Sequence, residues 1–222
     1  MTSLALFSGH ARERSLMTEL TLYSMPSSGN SYKVRLLLAL LGTNYAHVAC
    51  EANSQELQDA KDAGHLPLGK LPALHLPDGS VLTESGAILW RLAAGSQFLP
   101  TDATFQARIL EWMFFEQNRL EPVIAVRASL NCYPHLADQA MPEKMDALLK
   151  SGNELLGLLD NHLTGRDWLA APFPTIADIA VYGYVHSSGS RGGYDMSNFP
   201  SISEWCARIA DLSGYVTLDH LP

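Results

Sequence analysis

Thr83, Glu84 and Ser85 close the run G-K-L-P-A-L-H-L-P-D-G-S-V-L-T-E-S, residues 69–85, and stand directly before an apolar stretch. Hydroxyl and carboxylate side chains in that place suit a helix start, where they satisfy free backbone N–H groups. The same N–H groups could instead hold an anion. A second concentration of polar chemistry lies in residues 24–31, where Ser27, Ser28 and Asn30 share a loop with Pro26 and Gly29. Taken alone, these are the turn and cap residues that any such loop contains. Thr175 and Asp178 form a capping-box-like pair, with Asp in place of Glu or Gln, and that pair reads as structural.

Short elements must position these groups. Residues 20–23 read as a strand. Residues 32–41 form an apolar helix with Lys33 and Arg35 interleaved and Gly42 as its C-terminal stop. Residues 45–49 read as a second strand, and residues 54–63 as a helix with Ser54 at its N-cap. Strands at 71–76 and 80–82 flank a Pro77-Asp78-Gly79 turn, which is a hairpin signal. A helix over 85–94 follows. This β-α-β-α-β-β-α order makes a compact α/β domain over residues 17–95. Residues 96–104, with Ser and Pro, form a linker. Beyond it the strand signal disappears, and residues 105–222 read as an all-helical domain. Its helices fall at 105–130, 142–163, 175–186 and 202–212, with Pro122 expected to kink or break the first. Leu148, Leu149, Leu155, Leu156, Leu158 and Leu159 mark the core side of the second. Residues 1–16 read as a disordered extension.

Composition narrows the function. A net charge of −8 and a pI near 5.4 disfavour nucleic acid as the main partner, which needs clustered Lys and Arg. No apolar stretch approaches the roughly 20 residues of a membrane span. Three cysteines, Cys50, Cys132 and Cys206, are far apart and form no C-x-x-C, which fits a reducing cytoplasm and removes the usual thiol redox motif. The eight histidines show no ligand spacing, so no metal is expected.

The segments L-Y-S-M-P-S-S-G-N-S-Y-K-V-R-L, G-K-L-P-A-L and T-E-S-G-A-I-L-W resemble the thioredoxin-like N-terminal domain of the cytosolic glutathione transferases. In the helical half, W-M-F-F-E-Q-N-R-L-E-P-V-I-A-V resembles the fourth helix of a bacterial group of these enzymes. T-I-A-D-I-A and F-P-S-I-S-E-W-C-A-R-I resemble their sixth and seventh helices. The resemblance runs from about residue 20 to 216 with the segments in the family's order.

It implies a thioredoxin-like α/β domain followed by an all-α domain, with glutathione as co-substrate. Glu84 would pair with the α-ammonium of the γ-glutamyl end, and Ser85 would receive its carboxylate. Pro72 would be cis, turning the Leu71 backbone outward to pair with the cysteinyl unit like an added strand. Lys70 would approach the glycyl carboxylate, with His65 a weaker candidate; the bare alternative for Lys70 is a solvated loop lysine. Glutathione's thiol resembles free cysteine, whose pKa is about 8.5, and lowering it by about two units requires roughly 2.7 kcal/mol of differential stabilisation. Ser28 falls where serine-type members keep the catalytic hydroxyl that supplies this. Ser27 and Asn30 are alternatives, because another bacterial branch uses a Thr and an Asn in this loop. Tyr23 reads as strand core. The electrophile pocket would draw on Trp112, Phe115, Arg119, Tyr184 and His186, although at helical spacing Trp112 and Phe115 also read as plain core. The bacterial group usually has E-G-G where this chain has Arg191-Gly192-Gly193.

The implied activity is conjugation of glutathione to small apolar electrophiles. A glutathione-dependent disulfide or peroxide reductase and a non-catalytic binding or regulatory protein are the alternatives on the same fold. A homodimer is implied, with no nucleic acid or membrane partner.

Overall fold

The computed structural model describes residues 19–222; the extension read at residues 1–16 lies outside them. The first half forms β1 (Thr21–Ser24), α1 (Gly29–Leu40), β2 (Ala46–Ala49), α2 (Gln55–Asp62), β3 (Ala73–His75), β4 (Val81–Thr83) and α3 (Ser85–Ala93). The strands make one four-stranded sheet in the order β2-β1-β3-β4. β1 and β2 are parallel, whereas β3 runs antiparallel to both β1 and β4.

Local chemistry explains the local elements. The hairpin turn closes through Gly79 N–H to Leu76 O, with Gly79 at φ +84°, and the Asp78 carboxylate accepts from the Ser80 N–H and hydroxyl. Gly42, at φ +61°, ends α1: its N–H returns to Ala39 O and the Thr43 N–H to Leu38 O. These are the two bonds of a glycine-terminated helix. Ser54 caps α2 by accepting from Leu57 N–H.

The register settles where chemistry can gather. Tyr23 faces Ala73 across β1–β3, and Ala73 faces Thr83 across β3–β4. The loop after β1, Pro72 before β3, and Glu84 after β4 therefore emerge at one end of the sheet. The Tyr23 ring packs there against His65 and His75, at 5.0 and 4.8 Å between centroids, as strand core.

The helical half comprises α4 (Ala103–Phe115), α5 (Val126–Cys132), α6 (Pro142–Leu163), α7 (Ile176–Val185), α8 (Ser188–Gly192) and α9 (Pro200–Ala210). Pro122, expected to kink or break the first long helix, does not end it but changes its local winding. It sits inside a π-helical segment, Glu116–Ala125, that joins α4 to α5 without a stop. The wider i→i+5 turn accommodates a residue that has no N–H to donate. Leu155, Leu156, Leu159 and Leu163 of α6 enter the core, but Leu158 is exposed, contrary to the sequence pattern. Thr175 and Asp178 do form a capping box. The buried Asp178 carboxylate accepts from Thr175 N–H and hydroxyl, Leu169 N–H and Trp205 Nε1, so it braces α7 against α9.

α1 is enclosed on all sides. Val34 and Leu38 face Leu22, Leu74 and Ile88 below the sheet, while Tyr32, Leu36 and Leu37 join the helical core with Ile179 and Tyr182. The crossing of α1 and α7 is close. A Cβ on Gly29 would lie 2.4 Å from the Tyr184 ring, and one on Gly183 2.5 Å from Lys33 Cγ. Glycine is needed at both places because any side chain would push the two domains apart.

Candidate active site

The loop after β1 is held before it reaches α1. Arg35, buried on α1, donates to Ser24 Oγ, Met25 O and Pro26 O, and its Nη2 also reaches Leu218 O near the C-terminus. A guanidinium is suited to this because its fixed fork of donors can hold several carbonyls at once. With the loop anchored, the three candidate residues fall into different roles.

Ser27 is engaged elsewhere. Its hydroxyl lies 2.8 Å from Glu51 Oε1, its N–H donates to Glu51 Oε2, and Tyr133 Oη lies 2.8 Å from its Oγ. A carboxylate only accepts, so the single Ser27 hydroxyl hydrogen points at Glu51. Ser28 is the N-cap of α1, and its Oγ accepts at 3.5 Å from Ser31 N–H. The Tyr184 phenol meets the Ser28 side chain and the Asn30 backbone; both hold its pKa down, but burial is the larger effect and pushes it far above the ordinary tyrosine value. Tyr184 therefore stays protonated at neutral pH.

Asn30 is the hub of a network that the sequence did not reveal. Its Oδ1 accepts from Lys33 Nζ at 2.8 Å and from Ser85 Oγ at 3.2 Å. Two donors on one atom identify it as the amide oxygen, and the N–H2 group is left as the donor end. Lys33 is fully buried and ion-paired at 2.7 Å with Glu116 at the start of the π-helical segment, and its ammonium lies 5.0 Å from the centre of the Tyr184 ring. Burial pushes the Glu116 carboxyl up and the Lys33 ammonium down, and their mutual attraction opposes each shift. Ser85 at the entry of α3 is thus connected through Asn30 and Lys33 to a carboxylate of the helical domain. The Asn30–Lys33 spacing of three residues on a helix was the one sequence signal for this link.

At α3 the side chains do not cap. Glu84 sits at φ +65° and makes no cap bond, and the Ser85 hydroxyl turns to Asn30. The first N–H groups of α3 keep no intrahelical partner. A non-glycine residue at positive φ is strained, and such strain gathers at functional sites. The Leu71–Pro72 bond is cis. Leu71 lies just outside the β3 ladder, and Lys70 is exposed beside it. His65 is taken up by the Tyr23–His75 ring cluster, with its pKa lowered by burial.

A cleft of about 120 Å³ opens over the α1 N-terminus, lined by Met25, Ser27, Ser28, Gly29, Ala125, Ala128, Ser129, Tyr133, Tyr184, Ser187 and Arg191. Of the expected electrophile-pocket residues, only Tyr184 reaches it. Trp112 lines a different cavity with His162 and Arg166, packed on Phe115 and the His162 ring. Arg119 is exposed, stacks over Phe115, and lines a groove with Asn161. His186 is wedged between the rings of Tyr32 and Tyr182, with Nδ1 against Tyr182 O. Helical period placed Trp112 and Phe115 toward the core without fixing which neighbours they meet, and Arg119 falls on the exposed face. Tyr133 and Glu51 were missed altogether, since nothing local marks them.

A cis-proline beside a four-stranded mixed sheet, followed by an all-helical domain, defines a thioredoxin-like domain fused to a helical one. Residues 18–93 match the glutathione S-transferase N-terminal domain, and residues 123–212 match the glutathione S-transferase C-terminal domain. The chain belongs to the glutathione S-transferase family. A possible glutathione S-transferase from Rhodopseudomonas palustris is 38% identical, with a TM-score of 0.84 and coverage of 91% of both chains. A glutathione transferase family member from Pseudomonas fluorescens, with two glutathione bound, is 26% identical at a TM-score of 0.76, covering 89% of this chain and 90% of that one. The disulfide-bond oxidoreductase YfcG of Escherichia coli is 28% identical over 195 residues, 85% of this chain and 88% of its own. Among the described residues no helix is long and apolar enough to cross a membrane, and no group of His, Cys, Asp and Glu could hold a metal.

Proposed function

We propose that this protein is a glutathione transferase that binds glutathione as thiolate and conjugates it to small electrophiles. The observation that carries the reading is the division of donors in the loop after β1. Ser27 is committed to Glu51, while the Ser28 hydroxyl at the α1 N-terminus faces the cleft beside a protonated Tyr184. The Ser28 hydroxyl rests against the Tyr184 phenol and can turn its hydrogen to a sulfur anion, and the Asn30 amide N–H2 is a second donor. Charge-assisted bonds of this kind, together with the helix N-terminus, favour the thiolate over the thiol. Glu84, Ser85 and the exposed α3 N–H groups would take the γ-glutamyl end, Leu71 the cysteinyl backbone, and Lys70 the glycyl carboxylate.

In the reaction the thiol proton leaves to solvent, the sulfur lone pair forms a C–S bond, and the carbon–halogen bond breaks with halide as the leaving group. Holding the nucleophile ionised beside the electrophile is the catalytic contribution. The Escherichia coli relative favours a second reading, in which the same thiolate attacks a disulfide. Conjugation of a chloronitroarene and reduction of hydroxyethyl disulfide, each with glutathione, separate the two. Turnover in the first assay is expected. Turnover in the second alone would make the protein a reductase, and neither activity would leave a binding protein on this fold.

The functional unit would be a homodimer in a reducing cytoplasm, in keeping with Cys50, Cys132 and Cys206 all being unpaired. Phe114, 61% exposed, and Leu110 border a cleft of about 490 Å³ with Trp90 of α3, an apolar face that a second copy would cover. Sedimentation equilibrium should give twice the chain mass, and Phe114→Glu should shift it to the monomer. A wild-type monomer at micromolar concentration would refute the dimer.

A further inference from the structure

We infer that the electrophile taken by the cleft over α1 carries a carboxylate and that Arg191 recognises it. This rests on the transferase reading and refines it: the small apolar body has an acidic end.

Arg191, on α8, is half-buried and lines the same cleft as Ser28 and Tyr184. Its Nη1 donates to the Ser27 carbonyl at 2.8 Å and its Nη2 to Tyr133 Oη at 3.4 Å. Both acceptors are neutral. The ion pairs among the described residues are Lys33–Glu116 and those of Arg208 with Asp167 and Glu204, so no carboxylate lies within 4.0 Å of Arg191. Glu51, on the far side of Ser27, accepts instead from Ser27 N–H, Ser27 Oγ and Ala52 N–H.

Burial works against the Arg191 charge, but the Cys132 and Tyr133 side chains together outweigh it and hold the guanidinium charged. Neither is a carboxylate, and an incoming carboxylate would supply the counter-ion that is lacking. Arginine suits the task better than lysine. Its planar fork has five donors; contacts to Ser27 O, Tyr133 Oη and the Cys132 side chain fix its orientation here, and the others can meet a carboxylate edge. The chain as a whole carries a net charge of −8, so an unpaired guanidinium at this cleft is a local attraction set against the general field. The rest of the lining sets Met25, Gly29, Ala125 and Ala128 among serine hydroxyls and the rings of Tyr133 and Tyr184, which suits a compact aryl body with polar substituents.

The test compares a chloronitrobenzoate with its uncharged carboxamide, with glutathione, in the wild type and in Arg191→Gln. Glutamine keeps an amide donor for Ser27 O. The intrinsic reactivity difference of the two substrates cancels when their kcat/KM ratio is compared between proteins. The ratio should fall about tenfold in the variant, the size expected for losing one charged hydrogen-bonded contact. An unchanged ratio, with both substrates affected equally, would show that Arg191 only braces Ser27 and Tyr133 and would overturn the inference.

If neither substrate is conjugated by the wild type, the transferase reading fails, and binding decides the inference on its own. Calorimetry of a nitrobenzoate and a nitrobenzamide on protein loaded with S-methylglutathione should show the acid preferred, and the preference lost in Arg191→Gln. Equal affinities for the two ligands would refute it. A carboxylate could also come from a second glutathione. A loss in the variant confined to glutathione disulfide, with hydroxyethyl disulfide and the benzoate ratio unaffected, would assign the site to that source and not to the electrophile.

Discussion

Ser28→Ala raises the pKa of the bound glutathione thiol by about one to two units and lowers kcat/KM at neutral pH by about threefold to twenty-five-fold, as the thiolate fraction falls from that of a thiol of pKa about 6.5. Each unit is about 1.4 kcal/mol of lost preference for the thiolate, the scale of one hydrogen bond to a charged group. The loss is one of ionisation, so the rate should recover as the pH is raised through the free-thiol value. The cap contributes little to this result, because the Ser28–Ser31 bond is already long at 3.5 Å. Ser27→Ala is the contrasting variant: its hydrogen is directed at Glu51, so the thiol pKa should stay in place. Ultraviolet titration of the bound thiolate measures both. If Ser28→Ala leaves the titration where it was and Ser27→Ala moves it, the roles given to the two serines are reversed.

Glu116→Gln should destabilise the protein by about 3 kcal/mol, because breaking a buried ion pair from one side leaves the other charge uncompensated. That is a large part of the usual total of about 5–15 kcal/mol. Lys33 then sits buried on α1 without its ion-pair partner and with only the more distant Glu121 carboxylate, and its pKa, already lowered by burial, must fall further. The sign of the pH dependence follows. Between that lowered folded value and the ordinary unfolded lysine value of about 10.4, the unfolded chain binds more protons than the native one, so stability rises with pH. Chemical denaturation at several alkaline pH values should therefore show the variant regaining part of its loss. A deficit that stays constant with pH would mean that the variant lost only packing at the domain junction.

Much of the fold was readable because its signals are local. The Pro77-Asp78-Gly79 turn, Gly42 after α1, Ser54 before α2 and the Thr175–Asp178 box each act within a few residues, and each does what its chemistry suggests. The burial of Lys33 and Arg35 was not readable in that way. Charged residues on a helix usually mark a solvated face, but α1 is covered by the sheet on one side and by α3 and α7 on the other. The site was divided similarly. Asn30, Ser85 and Ser28 stand in short motifs, whereas Glu51, Tyr133 and Glu116 arrive from distant elements and acquire their roles only through the packing. The expected pocket side chains Trp112, Phe115 and Arg119 lie outside the cleft over α1, because periodicity assigns a face, not a neighbour.

The close crossing of Gly29 and Gly183 has a consequence for recombination between relatives. Exchanging the helical half for that of another protein would replace the ring that touches Ser28 and the carboxylate that neutralises Lys33. It would also replace the bare backbone at Gly183, which lets α1 approach. A chimera cut at the loop between α3 and α4 thus inherits a nucleophile-binding loop whose surroundings are set by its new companion, and Tyr32, Leu36 and Leu37 must repack against a foreign core as well.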